Sequence, residues 1–85
     1  RKNELILGRN EECDIAVRDD LLSRRHCRIT KNDHGEYVIE DLSSTNSTWL
    51  NSKELKAPAT LRYGDRLLVG NTIFRFFLEE EVEKR

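Results

Sequence analysis

The amino-acid sequence predicts an all-β domain, an antiparallel β-sandwich built from short strands. Three observations carry that expectation. Apolar and polar residues alternate in short runs, turn-forming residues interrupt the runs about every eight to twelve positions, and helical spacing is sustained nowhere before Leu78. Alternation at that interval is the pattern of a sandwich or barrel.

The strands follow in order. Residues 2–7 form the first, ended by Gly8, and residues 14–17 form a short patch ended by Arg18, Asp19 and Asp20. Residues 26–31 alternate, with Cys27 and Ile29 on one face and His26, Arg28 and Thr30 on the other. Residues 32–35, Asn-Asp-His-Gly, read as a hairpin loop into residues 36–41. Residues 48–51 are a further extended candidate with Trp49 and Leu50 as its bulk. Residues 66–69 and 72–78 flank Gly70 and Asn71, a pair suited to a primed two-residue turn. In the last stretch Phe74, Phe76 and Leu78 share one face, and Ile73, Arg75 and Phe77 the other.

Composition bounds the rest. Eighty-five residues make one domain, and the hydrophobic and charged sets are each 36% of the chain, a lean core under a charged surface. Leu, Ile, Val and Phe supply 23 residues, above the roughly one-fifth share below which disorder is expected. No hydrophobic run exceeds three residues, too short for a membrane-spanning helix. The formal net charge of −1 disfavours capture of nucleic acid by a basic stripe. Two cysteines are too few for a disulfide scaffold. A start at Arg1 suggests a piece of a longer protein, with residues 1–78 as the domain. Residues 79–85 would be an acidic linker or the start of a helix toward a following domain.

Polar residues gather where the strand pattern breaks. The clusters are Gly8-Arg9, Ser23-Arg24-Arg25-His26, and Ser43 through Thr48 leading into Trp49. Loops collect at the ends of a sandwich and carry its binding residues, so the three could share one surface. They would offer guanidinium groups, hydroxyls and a carboxamide. That inventory suits a phosphorylated side chain, which brings a charge of about −1.5 to −2 and three acceptor oxygens. Arg presents a forked pair of donors to such oxygens, and hydroxyls fill the remaining lone pairs. Nothing in the set is suited to attacking phosphorus or activating water.

In this order and spacing, Gly8-Arg9, Ser23-Arg24-Arg25-His26, Ser44-Thr45-Asn46-Ser47-Thr48-Trp49-Leu50-Asn51 and Gly64-Asp65 together resemble a forkhead-associated (FHA) domain, over residues 5–77. The resemblance implies a sandwich of about eleven strands whose loops at one end bind phosphothreonine peptides. It implies that Arg9 pairs with the phosphate, Ser23 hydrogen-bonds a phosphate oxygen, and Arg24 adds backbone or cationic support. Thr45 would add a phosphate or loop contact, and Asn46 would grip the ligand main chain. Gly8, His26, Ser44 and Ser47 would support the loops, as would Gly64 and Asp65. Partners would be a phosphothreonine-containing protein or the parent chain itself, with no cofactor, no metal, no nucleic acid and no membrane. A monomeric signalling module in the cytoplasm, or the nucleus in a eukaryote, would fit. The competing expectation is a phosphate-independent interaction or structural domain of the same fold.

Two positions depart from the family pattern, with Ser47 and Ser52 where glycine is usual. A left-handed backbone at Ser47 would cost about 1–2 kcal/mol, and otherwise the loop would take another path and move Asn46. Other readings of the same residues are weaker. Arg24 and Arg25 point to opposite faces of a strand, which argues against a DNA patch. Ser23 and His26 lie too far apart in phase for a hydrolase pair, and no nucleophile elbow is present. Cys13, Cys27, His26 and His34 lack zinc-ligand spacing, with Cys27 expected in the core. Asn46-Ser47-Thr48 matches a glycosylation acceptor by chance. Trp49 is expected to pack beneath its loop.

Overall fold

Inward-facing Leu7, Cys27 and Ile39 on one side meet Leu67 and Val69 on the other, and that contact organises the chain. A computed structural model describes residues 3–78. Nine strands form within them: β1 (Glu4–Gly8), β2 (Ile15–Ala16), β3 (Cys27–Lys31), β4 (Tyr37–Asp41), β5 (Thr48–Leu50), β6 (Lys53–Glu54), β7 (Ala59–Thr60), β8 (Arg66–Val69) and β9 (Thr72–Arg75). One sheet runs β2-β1-β3-β4-β7 and the other β6-β5-β8-β9. The two sheets and the absence of helix among the described residues confirm the all-β sandwich class. Among the described residues no helix is long and apolar enough to cross a membrane.

Every stretch expected to be extended contains a strand. Residue 2 of the first stretch and the acidic segment 79–85 lie outside the described residues. β6 and β7 were not anticipated, because two residues carry no period. One pairing also departs from the antiparallel expectation. β2 runs parallel to β1, with Leu7 opposite Ile15 and Gly8 opposite Ala16. Asp14 closes that return by accepting the Ile6 N–H at 2.8 Å. Past the end of β9 at Arg75 the chain stays beside the approach to β8, the Phe76 N–H donating to the Asp65 carbonyl at 2.9 Å and the Gly64 N–H to the Phe76 carbonyl at 2.7 Å.

Register decides where the loops go. The end of β1 lies beside the start of β3 (Leu7 opposite Cys27), which lies beside the end of β4 (Cys27 opposite Asp41). β2 ends alongside Gly8. The connections 9–14, 17–26 and 42–47 therefore leave the first sheet at one end. Leu22, His26 and Thr48 are fully or almost fully buried and anchor those connections to the core. In the second sheet Thr48 stands opposite Val69, so the 70–71 turn joins the same end.

Candidate functional site: a three-loop surface

Main-chain bonds first tie the loops together. The Arg9 N–H donates to the Ser23 carbonyl at 3.0 Å, and the Asn10 N–H to the Arg24 carbonyl at 3.2 Å. This approach requires glycine at position 8, where an added Cβ would lie 2.1 Å from the Arg24 oxygen. Glycine at position 8 is a matter of space.

Side chains complete the cluster. Arg9 donates from Nε to the Leu22 carbonyl at 3.0 Å, which anchors its guanidinium, and the side chain is exposed with two terminal amino groups that can still donate. The Ser23 hydroxyl oxygen accepts the Thr45 N–H at 2.9 Å. With that lone pair engaged, its O–H remains as a donor. Asn46 donates from Nδ2 to the Leu21 carbonyl at 2.8 Å, keeping its Oδ1 as an acceptor. Arg9, Ser23, Thr45 and Asn46 are thus brought to one surface by bonds that bridge the three connections. Arg24 is placed beside them by its main chain, with its side chain exposed. Arg25 lines a separate hollow together with Ile6, Asn10, Glu12 and Cys13.

His26 braces two of the loops. The Ser23 N–H donates to His26 Nδ1 at 3.0 Å, which makes that nitrogen an acceptor. The proton then belongs on Nε2, which donates to the Ser47 carbonyl at 2.8 Å. Ser47 meets it with a left-handed backbone, φ 69°, so the chain accepts strain and Asn46 stays in place. Its hydroxyl donates to Glu54 at 2.7 Å. Ser52 is left-handed too, φ 73°. Trp49 donates from its indole N–H to the Asn46 carbonyl at 3.3 Å.

Two carboxylates that hold the loops were not picked out from the sequence. Asp41 accepts the Ser44 hydroxyl at 2.5 Å, the Thr48 hydroxyl at 2.6 Å and the Ser44 N–H at 2.9 Å. Burial pushes its carboxyl up, but those bonds outweigh burial and hold it below the usual carboxylate range. Asp19 accepts the Thr72 hydroxyl and the Asn71 N–H, each at 2.7 Å, and the Leu21 N–H at 2.9 Å. The Thr72 hydroxyl leads in lowering its carboxyl, followed by the Leu21 and Asn71 amides. Asp19 thereby clasps the 70–71 turn to the Ser23 loop. The short-range halves of both patterns, Asp41 three residues before Ser44 and Asp19 two before Leu21, are recognisable side-chain turns. The Thr72 contact, across 53 positions, is not.

Chemically, the surface presents fixed donors with their acceptor neighbours already satisfied. Both nearby carboxylates spend their oxygens inside the loops, so an anion would face guanidinium and hydroxyl groups. Among the described residues no cluster of His, Cys, Asp and Glu has the geometry of a metal site.

Comparison with known proteins bears on this geometry. The FHA domain family model matches residues 5–70. The chain is 35% identical over 71 residues to the mouse (Mus musculus) proliferation marker protein Ki-67, covering 84% of this chain and 2% of that protein. It is 29% identical over 69 residues to the FHA domain-containing protein FhaB of Mycolicibacterium smegmatis, covering 81% of this chain and 44% of that protein. The chain thus spans less than half the length of these relatives. Among solved structures, Mycobacterium tuberculosis EmbR in complex with a low-affinity phosphopeptide superimposes with a TM-score of 0.85 at 26% identity, over 94% of this chain and 21% of EmbR. The N-terminal FHA domain of S. cerevisiae Rad53p in complex with a phosphothreonine peptide gives 0.72 at 33% identity, over 79% of this chain and 56% of that one. With most of its length matched by the family model and the matching loops gathered at one end of the sandwich, this chain belongs to the FHA domain family.

Proposed function

We propose that this domain is a non-catalytic module that binds a phosphothreonine-containing segment of a partner protein or of its parent chain. One observation carries the reading: the Arg9 guanidinium, held through Nε by Leu22, and the Ser23 hydroxyl, held by the Thr45 N–H, lie on one surface with donors to spare. A phosphate dianion supplies the acceptors that complete them. Asn46 offers an acceptor and a remaining donor to the ligand main chain, and Arg24 adds positive charge. The phosphopeptide and phosphothreonine-peptide complexes of the EmbR and Rad53p structures support the same ligand class here. No cofactor or metal enters the chemistry, which is holding. The reading carries with it a monomeric domain acting in signalling in the cytoplasm or nucleus, where protein kinases supply the ligand. The net charge of −1 argues against a nucleic-acid partner.

Peptides selected from a phosphothreonine library test the proposal by titration calorimetry. Arg9→Ala is expected to weaken binding by about 2–5 kcal/mol, because it strips one partner from a desolvated charge pair. Phosphoserine in place of phosphothreonine should cost about ten- to two-hundredfold for the missing methyl. Affinity should fall as pH drops through about 6 and the phosphate becomes a monoanion. Equal binding of phosphorylated and unphosphorylated peptides would instead make this an interaction domain blind to phosphate.

A further inference from the structure

The solvent face of the second sheet carries an apolar stripe, with Glu54 beyond Trp49 at its β6 edge. Alternation turns Thr48, Leu50, Leu67, Val69 and Phe74 toward the core, so Trp49, Leu68 and Ile73 point outward. These three stand in register across β5, β8 and β9, Trp49 opposite Leu68 and Leu68 opposite Ile73. Ile73 is 60% exposed. One row farther along, Arg66 lies opposite Arg75. Beyond Arg75 the exposed ring of Phe77 meets that of Tyr63 edge-on, centroids 5.3 Å apart. Trp49, Ser52, Arg66, Leu68 and Ile73 line a hollow of about 180 Å³ on this face. A contiguous exposed apolar patch of this kind marks an interaction surface, and aromatic residues and Arg are the types enriched at protein interfaces.

Two features identify the occupant. The first is continuity, since the Trp49 indole N–H bonds the carbonyl of Asn46, so the stripe begins beneath the loop that grips the ligand main chain. The second is charge. The Arg66 guanidinium donates to the Ser52 hydroxyl while its main-chain N–H goes to Asn51 Oδ1, and among the described residues neither Arg66 nor Arg75 forms an ion pair. Two facing guanidinium groups beside an apolar stripe suit a segment that is itself apolar and acidic.

We propose that the phosphothreonine-bearing partner continues past its phosphate over this face. It sets apolar side chains on Trp49, Leu68 and Ile73 and a carboxylate between Arg66 and Arg75. This rests on the phosphothreonine reading above. Running along β5 from Asn46 to Trp49 takes about 10 Å and crossing two inter-strand spacings about 10 Å more, so about six to eight extended residues beyond the phosphothreonine reach from the Asn46 loop to Ile73.

Two phosphothreonine libraries decide it, one with about three randomised residues on each side of the phosphothreonine and one with about ten, in keeping with that span. With the 85-residue chain as bait, the long library should enrich Asp or Glu together with aliphatic and aromatic residues at distal positions. A selected long peptide should bind about tenfold more tightly than its truncated form. Ile73→Thr, which keeps a β-branched side chain on the strand, should erase that advantage and leave the truncated peptide's affinity unchanged. Arg75→Glu should redirect distal selection from acidic to basic residues. Melting curves of both variants establish that they fold. No advantage for long peptides, or an advantage surviving both substitutions, overturns the proposal while short-peptide binding upholds the phosphate site. A short library that binds no better than its unphosphorylated counterpart removes both. Sedimentation showing a dimer that Ile73→Thr dissolves would give the face to a second copy, and that result also overturns it.

Discussion

Ser47 holds a backbone conformation that glycine would hold with less strain. Its φ of 69° costs about 1–2 kcal/mol relative to glycine, and two bonds fix it there, from His26 to its carbonyl and from its hydroxyl to Glu54. Ser47→Gly relieves the strain but frees the unfolded chain by about 0.5–1 kcal/mol and loses the hydroxyl bond. The expected net gain is up to about 1 kcal/mol, a rise of several degrees in Tm for a domain this size. Phosphopeptide affinity should stay put, because the carbonyl that meets His26 and the side chain of Asn46 are untouched. A drop in Tm would show that the bond to Glu54 outweighs the strain. Gly8 is the opposite case. Gly8→Ala places a methyl group 2.1 Å from the Arg24 oxygen, so the Ser23 loop must move. Urea denaturation should show a loss of about 1–3 kcal/mol, and titration a weaker ligand complex.

At the scale of elements, the β4–β5 connection is organised by a residue at the very end of β4. Asp41 satisfies both the hydroxyl and the N–H of Ser44, together with the buried hydroxyl of Thr48. Asp41→Asn keeps the shape but weakens charge-assisted bonds and is expected to cost about 2 kcal/mol at neutral pH. The sign of the pH dependence follows from the lowered carboxyl. A folded-state value below the unfolded one gives stability that is complete above about pH 4 and is lost as pH falls through the folded value. Wild type should therefore lose stability between neutral pH and pH about 3, and Asp41→Asn should lose less over the same interval. Asp19, lowered in the same direction, keeps some acid sensitivity in the variant. Denaturation curves at the two pH values check both statements. The strands flanking this loop were legible because alternation over five residues marks a face. β6 and β7 were not, since pairs such as Lys53-Glu54 and Ala59-Thr60 have no period to read.

Across the whole molecule, the sandwich leaves one thiol sealed and one near the surface. Cys27 is fully buried between the sheets, and burial pushes its thiol up to about 12. Cys13 is only half-buried, its thiol donating to the Arg24 carbonyl. Alkylation followed by mass spectrometry should modify Cys13 in the native state and Cys27 only through unfolding. In denaturant the two should react at similar rates. Native labelling of Cys27 as fast as Cys13 would contradict the packing described here. The same core explains why the loops are ordered: Leu22, His26 and Thr48 descend into it from their connections.

Short-range chemistry in the sequence was enough to determine the β class, the hairpin turns, the core role of Cys27 and the order of the polar clusters. Alternation and turn residues act over a few positions, where neighbouring side chains and φ preferences decide the outcome. Tertiary structure alone decided which clusters meet. The parallel return of β2, the Arg9–Leu22 and Thr45–Ser23 bonds and the Asp19 clasp onto Thr72 depend on strand register across the sheets. The side-chain bonds among them join residues 13 to 53 positions apart, and only the folded register brings those donors and acceptors within bonding distance.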